Sequence, residues 1–225
     1  MDKNTMVLAL MGLFAASAQA ASGDSWSGCY AGAHAGYGWA DVGGRDSALG
    51  NNIGSTTATG WAVGGQLGCD RQTGDWVMGA QVSLSKANIT GSHPYNNGSG
   101  PSNRVHYDID PLATLTGRLG YAFAPDTLAY LKAGGVWTRT EYNDSDPAPL
   151  VGVAYSGNKK AGRNGWLLGL GVERRVGKNL SAFAEYQYMD FGNADVTINY
   201  SDGAVASYSF KQRMDFLSVG VNYRF

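Results

Sequence analysis

Residues 180–188 read Leu180-Ser181-Ala182-Phe183-Ala184-Glu185-Tyr186-Gln187-Tyr188. Leu180, Ala182, Ala184, Tyr186 and Tyr188 are apolar or aromatic, and Glu185 and Gln187 stand between them. Such alternation is the period of an extended chain, whose successive side chains point to opposite faces. A helix would mix the two sets around its circumference.

The pattern recurs along the chain. Working outward from 180–188, the same kind of face is carried by Trp166, Leu168, Leu170 and Val172, and by Leu217, Val219, Val221, Tyr223 and Phe225. Upstream it is carried by Cys29 through Trp39, Trp61 through Cys69, and Trp76 through Leu84, taken at every second residue. Ala113 through Phe123 and Ala129 through Trp137 complete the set. No position on this face is charged or an amide. The intervening positions hold His34, Gln66, Gln81, Arg118, Lys132, Glu173, Glu185, Gln187, Asn222 and Arg224. The expected fold is therefore all-β: an eight-stranded antiparallel up-and-down transmembrane β-barrel whose apolar face meets lipid and whose other face lines the lumen.

A soluble barrel or sandwich would turn the apolar face inward. The aromatic residues decide between the two. With the first strand rising from the periplasm, Trp39, Trp61, Trp137 and Trp166 fall at outer strand ends, and Trp76 and Tyr223 fall at inner ends. Two aromatic girdles around a band of Ala, Leu, Val and Gly suit the two membrane–water interfaces. A soluble core has no reason to send its largest rings to both rims. The connections agree. Short turns are expected at 70–75, 124–127 and 177–179. Long polar links are expected at 42–58, 89–108, 143–164 and 192–207. That alternation matches periplasmic turns and extracellular loops, with both chain termini in the periplasm.

The chain opens with an export address. Lys3 precedes an apolar run, Met6–Ala16, and Ala18-Gln19-Ala20 offers a small-x-small cleavage pattern. Residues 1–20 are read as a signal peptide and 21–225 as one barrel domain in the outer membrane of a Gram-negative cell. The run is shorter than the ~20 residues of a membrane helix, and no Cys follows the cut to carry a lipid anchor. A net charge of −1 with scattered basic residues gives no electrostatic case for nucleic acid. With 33 glycines, 12% aromatics and only 6 prolines the chain is not a disordered polymer.

Several stretches, in order, carry a family likeness. Trp26-Ser27-Gly28-Cys29-Tyr30-Ala31-Gly32 leads into Gly36-Tyr37-Gly38-Trp39. Arg118-Leu119-Gly120-Tyr121-Ala122 and Ala133-Gly134-Gly135 follow. Gly169-Leu170-Gly171-Val172-Glu173, Ala184-Glu185-Tyr186-Gln187-Tyr188 and Val221-Asn222-Tyr223-Arg224-Phe225 complete the series. Together they resemble the alphaproteobacterial Omp25/Omp31-type outer-membrane proteins over nearly the whole mature chain. The resemblance implies a small barrel of the OmpA-like superfamily. Its family is described as structural, porin-like, antigenic and, in some members, haem-binding. It also implies that the terminal stripe ending at Phe225 is read by the barrel-assembly machinery. Cys29 and Cys69 depart from the family pattern, where aromatics are usual. Both lie on the outward face at the periplasmic ends of neighbouring antiparallel strands, so a cross-strand disulfide is expected in an oxidising compartment.

Candidate catalytic residues are few. His34 reads as a packed lumen residue. His106, Asp108 and Asp110 share one face at period two, a weak metal or haem contact or simply a solvated strand end, and His93 lies nearby. There is no HExxH, CxxC or phosphate loop, and no nucleophile–base pair on the outward face where a lipid-modifying enzyme would need one. No enzyme activity and no cofactor are expected. The inward charges Arg118, Lys132, Glu173, Glu185 and Arg224 must pair, because an eight-stranded lumen is filled by its own side chains. The expected function is a structural barrel contributing to envelope integrity, bedded in outer-membrane lipid and lipopolysaccharide. The alternatives are a barrel whose loops hold haem or a host surface, and a narrow pore.

Overall fold

The computed structural model describes residues 26–46, 52–94, 104–146, 155–199 and 205–225. They form eight strands: β1 (Gly28–Asp46), β2 (Asn52–Thr73), β3 (Trp76–Pro94), β4 (Arg104–Ala124), β5 (Thr127–Asp146), β6 (Tyr155–Arg175), β7 (Leu180–Asn199) and β8 (Val205–Arg224). Each pairs antiparallel with its neighbour in sequence, and β1 also pairs with β8 from Tyr30↔Arg224 to Asp46↔Tyr208, which closes the barrel. Residues 1–25, the expected signal peptide among them, lie outside the described residues.

The faces follow the sequence pattern. Trp61, Val63, Leu67, Leu84, Leu115, Leu131, Leu168, Val219 and Val221 are exposed on the outside of the wall, where lipid would cover them. Gln66, Arg118, Lys132, Glu173, Glu185 and Asn222 are buried inside. Leu217 belongs to the outward set yet is only 7% exposed. The sheet places it between Tyr37 and Tyr186.

Three short connections run as expected, and the first is tighter: β2 continues to Thr73 and turns at Gly74, whose φ of 61° favours glycine. The four long links are different. Most of 42–58, 89–108, 143–164 and 192–207 is strand, because each pair of strands continues well past the membrane band. Strands of 19 to 22 residues are about twice the 9–11 needed to cross a bilayer. The backbone ladder persists there while the apolar alternation stops, so the sequence reads as loop.

The extensions do not remain one tube. β2 keeps its pairing with β1 up to Asn52 but with β3 only up to Thr59↔Thr90. On the far side, β6 and β7 pair no higher than Trp166↔Asp190, although β6 stays with β5 to Tyr155 and β7 with β8 to Asn199. Above these two seams the wall divides into two four-stranded leaves, β7-β8-β1-β2 and β3-β4-β5-β6. Register shifts at Asp190/Asn193, Ser85/Ile89 and Ile109/Leu112 lie near the division and bend the strands locally. Arg163 Nη2 reaches across the second seam to Gly192 O at 3.1 Å.

Candidate functional site: the filled lumen

The lumen has three layers. At the periplasmic mouth Trp26, just before β1, folds under the barrel and is fully buried. Its backbone N donates to Gln72 Oε1 at 2.9 Å, and Arg224 Nη1 donates to the carbonyls of Trp26 (2.6 Å) and Gly28 (3.1 Å). The Arg224 guanidinium also lies over the Tyr30 ring, 4.9 Å from its centroid.

The middle layer is ionic. Asp70 Oδ2 is shared by Arg224 Nη2 at 3.0 Å and Arg118 Nη1 at 3.3 Å. The other arm of Arg118 forms a close pair with Glu173, and its guanidinium lies 3.9 Å over the Tyr130 ring. Lys132 Nζ meets Glu185 Oε1 at 2.8 Å, and Tyr130 OH donates to Glu185 Oε2 at 3.0 Å. Arg118, Lys132 and Arg224 thus face Asp70, Glu173 and Glu185, and the charge of this layer cancels. Cancellation matters because an uncompensated ion in a dry interior costs several kcal/mol. Glycine makes the aromatic parts of this layer fit. Tyr30 lies against its cross-strand partner Gly68 and Tyr130 against Gly171, with no room for a β-carbon at either.

From Glu173 an amide relay crosses the lumen, and its direction can be derived. Glu173 Oε1 accepts only, so Asn222 presents Nδ2 to it at 3.1 Å. Asn222 Oδ1 then faces Gln66 Nε2 at 2.7 Å, which turns Gln66 Oε1 to His34 Nδ1 at 2.6 Å. His34 must carry a proton on Nδ1, and its Nε2 lies 2.8 Å from Ser85 Oγ. Ser85, His34 and Gln66 therefore share the connectivity of a nucleophile–base–orienting triad. They are enclosed in the lumen, with Gln66 and Ser85 buried. His34 is the packed interior histidine that its sequence position suggests.

The outer layer is apolar. Ile89, Leu112, Val136, Leu167, Met189, Phe191, Met214 and Phe216 form one buried cluster with Ala40, Ala58, Ala62 and Ala87. Ile89, placed in a long loop by its sequence, is a fully buried lumen residue. By sequence Asp70 likewise reads as the first residue of a turn. Because β2 continues past it, Asp70 sits on the inward face four residues after Gln66 and links Arg118 to Arg224. Counting parity on from Gln66 would have found it. Tyr30, Tyr130 and Ser181, which carry no charge to mark them in the sequence, complete the network through Arg118, Glu185 and Glu173.

The remaining expected residues are located as follows. Cys29 and Cys69 are directly opposite in the β1–β2 register and form a disulfide. Trp61, Trp76, Trp137, Trp166 and Tyr223 are exposed on the outer wall and Trp39 is partly so. Rings meet edge to face at Tyr37–Trp61 (5.0 Å between centroids) and Trp76–Tyr121 (5.2 Å). Phe225 is 72% exposed, and its backbone N donates to Cys29 O at 3.0 Å. The backbones of His93 and His106 lie in β3 and β4, but their side chains and those of Asp108 and Asp110 fall outside the described residues. Among the described residues no metal-binding group of His, Cys, Asp and Glu occurs.

A closed antiparallel wall with an apolar outside, two aromatic rims and a buried ionic interior defines a small outer-membrane barrel. The family model for the outer membrane protein beta-barrel domain matches residues 6–225, and the chain belongs to that family. It is 25% identical over 203 residues to the 25 kDa outer-membrane immunogenic protein of Brucella abortus, covering 89% of this chain and 80% of that protein. The family likeness drawn from the short motifs is thus shown. Among solved structures it is similar to the outer membrane protein OprG of Pseudomonas aeruginosa (TM-score 0.59, 14% identity, 93% of this chain and 99% of that one), a likeness of fold. Neisserial surface protein A is also similar, at 18% identity and a TM-score of 0.43, covering 88% of this chain and 98% of that one.

Proposed function

We propose that this chain is a non-enzymatic structural barrel, a sealed rivet of the outer membrane that contributes to envelope integrity and presents its hairpin ends at the surface. The observation that carries this reading is the continuous filling of the lumen, from Trp26 through the Asp70–Arg118–Glu173 layer to the cluster around Phe216 and Met214. A pore would need a water path through the apolar layer. The enclosed position of Ser85 and His34 supports a packing role for them over catalysis. The immunogenic character named for the Brucella relatives supports surface display. Residues 1–20 serve as the cleaved export signal, the aromatic rims anchor the barrel at both interfaces, and Phe225 serves assembly.

The test is conductance in planar bilayers. Reconstituted protein should give no stepwise openings, and a cell lacking it should become more permeable to detergents and bulky antibiotics. Steady single-channel currents would overturn the sealed reading and establish the narrow pore.

A further inference from the structure

Most cations at the outer rim of the wall are not equivalent. Arg213, on β8, is paired with Asp190 of β7 at 3.2 Å. Arg139, Lys86 and Lys211 are exposed and have no ion-pair partner among the described residues, and of the three only Arg139 lines a hollow of the outer wall. The sheet registers Leu84 with Ala113 and Ala113 with Trp137. Lys86 and Arg139 each stand one outward position above that lipid-facing row. A Lys or Arg at this depth keeps its stem on apolar surface and its charge at the interface.

Beside Arg139 the outer surface is hollow. A cleft of about 420 Å³ is lined by Pro111, Ala113, Trp137, Arg139, Gly162 and Asn164. A β-carbon on Gly162 would meet nothing within 4 Å. Among the described residues no carboxylate lines the cleft. Directly below, on the same strands, a second hollow of about 790 Å³ runs down the lipid-facing wall past Gly117, Ala133, Leu119, Leu131 and Leu168. Gly117 and Ala133 are cross-strand partners, and a β-carbon on Gly117 would find its nearest atom, Ala133 O, at 3.9 Å. Small residues thus make a vertical groove between leucines, beneath a cationic cleft with an aromatic side wall.

We propose that this face is a specific site for one molecule of the phosphorylated glycolipid of the outer leaflet, lipopolysaccharide. A phosphate of its lipid A sits on Arg139, and Lys86, two strands away on the same outward face, adds to the positive field. The sugar lies against Trp137 and Asn164, and one acyl chain descends the Gly117–Ala133 groove. Charge complementarity selects the occupant: lipid A carries net negative phosphate, whereas the headgroup of a zwitterionic phospholipid is neutral overall. Guanidinium–phosphate contacts are strong, geometrically specific hydrogen bonds. The proposal takes from the functional reading only that the hairpin ends face outward, which protease shaving of intact cells measures separately.

The test is native mass spectrometry of the detergent-purified barrel with purified lipid A, dephosphorylated lipid A and phosphatidylglycerol as probes. The wild-type chain should retain one lipid A against detergent exchange and release the other two. K86E/R139E should retain lipid A roughly tenfold less, as expected for loss of charge-assisted contacts. G117L, which the groove accommodates, should weaken retention with the cations intact, whereas K211A on β8 should not. Migration of each variant as a folded barrel in unheated gels separates lost binding from lost folding. Equal retention by K86E/R139E and wild type, equal retention of phosphatidylglycerol and lipid A, or a dimer mass in place of a lipid adduct would each overturn the proposal.

Discussion

Arg118 has buried carboxylates on two sides, Asp70 and Glu173, and a tyrosine ring beneath it. Removing one partner from such a group strands the others without solvent, at a cost of about 3–5 kcal/mol. Arg118→Ala should therefore lower unfolding stability in denaturant by that amount, whereas Arg174→Ala, whose pair with Asp126 is well exposed, should change it by less than about 1 kcal/mol. Equal effects would mean that the lumen is wet. At this scale the sequence was half legible. The inward parity of Arg118, Lys132, Glu173, Glu185 and Arg224 could be read directly, but their partners could not, since pairing depends on which strands lie opposite. Asp70 was hidden because its neighbours Arg71, Gln72 and Thr73 have the composition of a turn.

Each strand carries two signals that separate along its length. Within the membrane band the lipid enforces alternation, and there the reading of faces holds for all eight strands. Above it both faces meet water or protein, the alternation ends, and only the hydrogen-bonded ladder keeps the chain extended. That is why Ile89 and the upper halves of β1 to β8 looked like loop. Two predictions belong to the elements. The Cys29–Cys69 bond spans a sequence separation of 40, which in the chain-entropy model corresponds to about 4 kcal/mol at most. The Cys29→Ser/Cys69→Ser variant should lose up to that much in denaturant unfolding, and unreduced native protein should show no reactive thiol. Gly171→Ala would push on the Tyr130 ring and, through it, on Glu185. Overpacking of this kind costs about 1–3 kcal/mol, measurable in the same unfolding experiment, and Gly117→Ala should cost less because its outward side is open.

The molecule as a whole joins a wall legible from sequence to a stopper that was not. The inward residues that stand out in the sequence are polar or charged, yet the outer third of the lumen is a hydrophobic core in its own right. Leu167 and Val136 alternate with lipid-facing residues, so those strands are apolar on both sides, while Met214 and Phe216 flank the outward charge of Asp215, which inverts the pattern; either way period two fades. This predicts how the barrel should fail as a channel. Phe216→Ala together with Met214→Ala should not open a conductance, because the ionic layer and Trp26 still close the bore. Adding Trp26→Ala and Arg118→Ala should admit ions if enough wall survives, and bilayer recordings across this series would locate the tightest layer. Truncation of Phe225 should reduce the folded fraction in outer-membrane preparations, and unchanged insertion would count against an assembly role for that residue.

The pairing of β1 with β8 sets the timetable of folding. The strand that leaves the translocation machinery first finds its second neighbour only when the last residues have followed, and Phe225 N meeting Cys29 O is among the final stitches. Contacts so distant in the chain are slow to form. Until they do, β1 and β8 are bare edges open to pairing with other chains. The vulnerable period in the life of this protein is therefore its transit through the periplasm, and its dependence on escorts should be greatest there.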